Sequence, residues 1–111
     1  MLNPSRGCSV YISKSPVDFR FGFDRLAHLC KTTARKDPYD GSLFLFFNRS
    51  YTKAKLIYFD GSGSVLIWKR LENGKFKPPK LKADGAFATI RSADMMLLLE
   101  GSGTPWDPRK K

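Results

Sequence analysis

Five consecutive apolar side chains, Leu43-Phe44-Leu45-Phe46-Phe47, restrict this chain more than any other feature. In a strand, neighbouring side chains point to opposite faces, so an unbroken apolar run needs cover on both sides. Asp40-Gly41 before it and Asn48-Arg49-Ser50 after it bound a strand-length segment. The run therefore predicts a central sheet strand over 42–48 with packing above and below. Met95 to Leu99 is the only other apolar run as long. A membrane span needs about 20 residues, so none is expected.

The 111 residues suit one domain, and 41% hydrophobic with 14% aromatic content suffices for a core. That domain is expected over 1–101, with 102–111 as a flexible basic tail ending in Arg109-Lys110-Lys111. Met1 to Gly7 carries no apolar stretch of the secretory kind, so a cytoplasmic location is expected. Cys8 and Cys30 are too few for a disulfide framework or a four-ligand zinc site.

Around the central strand the elements read in order. Val10 and Ile12 share one face of a short strand over 8–13. A helix start follows, with either Ser15 before Pro16 or Asp18 as its cap. Phe19, Phe23, Leu26 and Cys30 then recur as one apolar stripe to about Thr33. Gly22 inside that helix costs about 1 kcal/mol against Ala, which implies close packing there. Strands are expected over 55–60 and 64–71 around Gly61-Ser62-Gly63. Asn73-Gly74 predicts a hairpin that pairs Lys75-Phe76-Lys77 with the preceding strand. A short strand over 86–90 and a helix over 93–100, capped by Ser92 and closed by Gly101, complete the order. The fold class is α+β: a single domain with an antiparallel meander of about five strands, a helix packed on one face and a short C-terminal helix.

No catalytic constellation assembles from these residues. His28 is a lone helical histidine, and Cys30 reads as a small buried hydrophobe. Gly61-Ser62-Gly63-Ser64 follows a strand but opens no helix, so it is a turn and not a phosphate cradle. Asp24, Asp37, Asp40, Asp60 and Glu72 are the carboxylates open to metal binding, yet Asp37, Asp40 and Asp60 sit in turn contexts. The expectation is no enzyme activity, no metal, no cofactor and no small-molecule substrate.

Charge points elsewhere. Lys+Arg 20 against Asp+Glu 10 leaves +10. So strong a field on a small body favours a polyanionic partner, above all DNA. The bases concentrate over 49–55 and 69–82, interleaved with aromatics on consecutive strands. Arg49, Lys53, Lys55, Lys69, Arg70, Lys75 and Lys77 are the candidate phosphate contacts, with Arg20 as a further one or as an ion-pair partner of Asp24. A two-stranded ribbon fits a major groove, and an aromatic sheet stacks unpaired bases. Tyr58, Trp68 and Phe76 taken singly read as core residues. The rival reading is a protein adaptor, with the basic face docking on an acidic partner surface.

Four blocks carry a family resemblance. Val17-Asp18-Phe19-Arg20-Phe21-Gly22-Phe23-Asp24-Arg25-Leu26 is similar to a D-M-R-[KR]-G-F-D-G-L signature. Asp37-Pro38-Tyr39-Asp40-Gly41-Ser42-Leu43-Phe44-Leu45-Phe46 resembles D-P-F-S-G-x-L-F-V-F. Asn48-Arg49 with Lys55 to Gly61, and Trp68-Lys69-Arg70-Leu71-Glu72 with Gly74 and Phe76, follow in order. These blocks resemble the TnpB-type small accessory protein of insertion sequence 66 transposons. The resemblance implies a bacterial mobile-element protein that assists transposition without chemistry of its own. It implies as partners a separate, larger transposase and other element-encoded proteins.

Overall fold

The apolar run at 43–47 lies at the centre of a five-stranded sheet. A computed structural model of the chain describes residues 9–78 and 85–101. Its elements are β1 (Val10–Ser13), α1 (Phe23–Ala34), β2 (Leu43–Phe47), β3 (Lys53–Phe59), β4 (Ser64–Arg70), β5 (Phe87–Ile90) and α2 (Ser92–Glu100). The strand order is β4-β3-β2-β1-β5, and every residue of β2 is buried. Phe44 and Phe46 pack with Ile57 against Leu26, Ala27 and Cys30 of α1. Leu43, Leu45 and Phe47 face the other way, onto Met95 and Leu98 of α2 and onto Phe76. The sheet thus has cover on both faces, as an all-apolar strand requires.

The α+β class holds, but the sheet is mixed and not an antiparallel meander. β1 pairs parallel with β2, Val10 opposite Leu43, and antiparallel with β5. The reason is the α1 crossover: a strand, a helix laid across the sheet and a second strand bring the chain back in the same direction. The remaining pairs, β2 with β3 and β3 with β4, are antiparallel.

Five local expectations are corrected. Residues 18–21 form a turn closed by the Phe21 N–H on the Asp18 carbonyl at 3.0 Å, so α1 starts at Phe23 and excludes Phe19. Neither Ser15 nor Asp18 caps it; Gly22 is the N-cap, in extended backbone without a side-chain cap. A Cβ built on Gly22 meets nothing within 4 Å, so no close packing explains this glycine. Lys75-Phe76-Lys77 does not form a strand. Gly74 turns the chain at φ 77°, then Phe76 buries its ring 5.5 Å from that of Phe47. Filling the open sheet face with a phenyl ring outweighs a three-residue edge pairing. At α2 the N-cap is Arg91 and not Ser92, and the Arg91 guanidinium bonds Asp94 at 2.9 and 3.0 Å. Gly101 closes α2 as expected, at φ 58°.

Candidate nucleic-acid interface

One end of the sheet is built from three chain segments, and the sequence of each explains its shape. The first is the β2–β3 turn. The Asn48 carboxamide oxygen accepts the N–H groups of Thr52 and Lys53, both at 3.0 Å. Tyr51 takes a left-handed backbone at φ 59° and stacks its ring on Phe47 at 5.3 Å. These bonds fix Arg49 at the exposed corner of the turn.

The second segment is 71–78. The Leu71 N–H donates to the Thr52 carbonyl at 2.9 Å, and the Phe76 N–H to the Tyr51 carbonyl at 2.7 Å. Buried Phe76 anchors this loop beneath the first one, with Lys75 and Lys77 exposed on either side. The third segment is 16–21, tied on by the Val17 N–H to the Phe47 carbonyl at 2.9 Å. Its Asp18 carboxylate accepts from the Arg20 N–H, Nε and Nη2, the last at 2.7 Å. That bonding holds the Asp18 carboxyl down at about 2 and raises Arg20 further. Arg20 is therefore the partner of Asp18 and not of Asp24, yet its side chain stays 91% exposed.

Across the sheet, Lys53 stands opposite Arg70. Arg70 meets Glu72 only at 3.7 Å, with both side chains largely exposed, a pair worth little in water. Six of the candidate bases, Arg20, Arg49, Lys53, Arg70, Lys75 and Lys77, thus surround one end of the sheet. An open cleft of about 530 Å³ at this end is lined by residues 16–19 and 48–50, with Arg49 the one candidate base on its wall.

The other two candidates are engaged internally. Lys55 is only 8% exposed, and its ammonium donates to the Phe19 and Phe21 carbonyls at 2.7 Å each. Burial pulls its pKa below the ordinary lysine value, while the Asp18 charge opposes that shift. Lys69 faces the opposite side of the sheet, and its ammonium donates to the Leu99 carbonyl at 2.7 Å. A cation on the last turn of α2 satisfies an orphan carbonyl there.

The acids serve the backbone. Asp37 accepts from the Tyr39 N–H, Asp40 from Ser42, and Asp60 from Ser62 and Gly63. Those two N–H groups hold the Asp60 carboxyl below the usual carboxylate range. Among the described residues, no three His, Cys, Asp or Glu side chains gather as a metal set. No helix of the described residues is long and apolar enough to cross a membrane. Cys8 and the 102–111 tail, with its three bases, lie outside the described residues.

One residue was misjudged from sequence. Tyr58 and Phe76 are core, but Trp68 is 49% exposed on β4, the end strand of the sheet. Alternation along 64–70 does not reveal which face an end strand leaves open.

The model of the IS66 Orf2-like protein family matches residues 8–110. The chain belongs to this family. IS66 Orf2-like proteins are accessory proteins of that insertion sequence. Two relatives come from Sinorhizobium fredii. Protein y4jC is 43% identical over 86 residues, which is 78% of this chain and 73% of the relative. Protein y4hO is 38% identical over 101 residues, covering 91% and 86% respectively. No solved structure matches the chain. In this IS66 Orf2-like protein most residues of the four resembling blocks build turns and core: Asp18, Asp37, Asp40 and Asp60 bond backbone, and Pro38 and Phe76 are buried. The same blocks leave Arg20, Arg49, Trp68 and Arg70 facing solvent.

Proposed function

We propose that this IS66 accessory protein assists transposition by binding DNA through the basic end of its sheet, in the bacterial cytoplasm. One observation carries the reading: Arg20, Arg49, Lys53, Arg70, Lys75 and Lys77 crowd one end of the fold, while the acids beside them, Asp18 and Glu72, are too few to neutralise them. Backbone hydrogen bonds hold the three segments in place, so the bases meet a phosphate backbone without first ordering their loops. The protein supplies position and charge, and no chemistry of its own is invoked.

Counterion release gives the test. Six phosphate contacts predict a slope of log K against log salt of about −5, from 0.9 per contact. Replacing Arg49, Lys75 and Lys77 by Ala removes three contacts and moves the slope to about −3. A flat slope for the unaltered protein overturns the proposal.

A second reading, an adaptor that docks on the element's transposase, draws on α2. Its Met96 and Leu97 are exposed on the outer face. Co-purification with the transposase that survives high salt and nuclease treatment, and that Met96→Asp abolishes, favours the adaptor.

A further inference from the structure

Trp68 is the most exposed large hydrophobic side chain among the described residues. It lies outside both apolar clusters of the core. Its surroundings are specific. On the same face of β4, Leu66 lies two residues before it and Arg70 two residues after it. Lys53 stands opposite Arg70 on β3, and its ammonium lies 5.9 Å from the indole centroid. Lys55, the residue opposite Trp68, is held down by the Phe19 and Phe21 carbonyls and leaves the indole open. The result is a half-exposed indole with Leu66 and Arg70 flanking it along β4 and the Lys53 ammonium over its ring, a cation that a base can displace toward its own phosphate.

A nucleotide offers the complementary pattern, a planar base beside a phosphate. Bases inside a duplex are stacked on both faces and present none to an outside ring. Only an unpaired base stacks on Trp68 while its flanking phosphates meet Arg70, roughly 7 Å further along β4, and Lys53, directly opposite Arg70 on β3. We infer that Trp68, Lys53 and Arg70 form a stacking site for single-stranded DNA, the form of DNA exposed where an element's ends are opened. This inference rests on the DNA-binding reading and narrows it to an unpaired strand at this edge.

The test uses the full chain carrying Trp106→Phe, so that Trp68 is the one tryptophan and is excited selectively at the red edge. It is titrated with a thymidine oligonucleotide of about twelve nucleotides and with a duplex of equal length, at matched salt. The oligonucleotide is expected to quench Trp68 emission saturably. By anisotropy of labelled DNA, Trp68→Ala is expected to weaken single-strand binding roughly 5- to 150-fold. Trp68→Phe, which keeps a stacking face, retains most of the affinity, and duplex binding is the same for all three proteins. Circular dichroism confirms that the variants fold. Unchanged emission on binding, or equal weakening of single strand and duplex by Trp68→Ala, overturns the stacking site and leaves the phosphate-binding proposal standing. Absence of binding to either DNA removes both.

Discussion

Replacing Lys55 by Met separates a structural cation from a DNA-binding one. The Lys55 ammonium donates two bonds of 2.7 Å to the Phe19 and Phe21 carbonyls and lies over the Phe19 ring at 4.7 Å. It ties segment 16–21 onto β3. Hydrogen bonds to a charged group contribute about 1.5–3 kcal/mol each, so the two amount to roughly 3–6 kcal/mol. Met keeps the length of the stem and removes the cost of desolvating an ammonium, which offsets part of that loss. The net destabilisation expected is about 2–3 kcal/mol. Urea unfolding reads it directly: with a slope near 1.5 kcal/mol/M, the midpoint falls by about 1.3–2 M at unchanged slope. DNA binding supplies the second readout. Below its unfolding transition Lys55→Met keeps the salt slope of the unaltered protein, because a buried ammonium neutralises no phosphate. A midpoint shift under about 0.3 M together with a loss of about one from the salt slope refutes the reasoning and makes Lys55 a phosphate contact.

Four further outcomes follow from the same structure. Phe76→Ala empties the pocket against Phe47 and is expected to cost about 3–5 kcal/mol in urea unfolding, with Lys75 and Lys77 lost to DNA as their loop comes away. Gly22→Ser adds a side-chain cap in extended backbone with free space around the new Cβ, and stabilises by about 0.3 kcal/mol by thermal melting. Gly101→Ala is the opposite case: its φ of +58° disfavours a side chain and the new Cβ collides with the Leu71 side chain, so it destabilises by at least about 1 kcal/mol. Asp18 sits at about 2 when folded against an ordinary value of 3.8, so the folded state binds fewer protons between these limits. Its contribution is present above the unfolded value and disappears as pH falls through about 2; Asp18→Asn flattens the acid limb of stability against pH in that window.

The central position of β2 was readable from five letters, because an all-apolar strand has nowhere else to go. The turn acids were readable too: Asp60 before Gly61-Ser62-Gly63 bonds the very backbone groups such a turn presents. So was the close of α2 at Gly101, since a left-handed residue there carries no steric penalty for glycine. The start of α1 was not. Asp18 had two competing partners, the helix N-terminus and the Arg20 guanidinium, and bidentate pairing with Arg20 prevailed.

Periodicity and charge placed the strands, the helices and a surplus of cations within one short chain. They were silent on which cations meet solvent, because that depends on long-range packing. Lys53 and Lys55 are two residues apart on one face of one strand, yet one reaches an exposed indole and the other lies beneath the carbonyls of a segment some 35 residues earlier. The parallel pairing of β1 with β2 and the burial of Phe76 have the same origin. Local sequence sets what each segment favours, but the free energy of covering both faces of the sheet decides which favoured option survives.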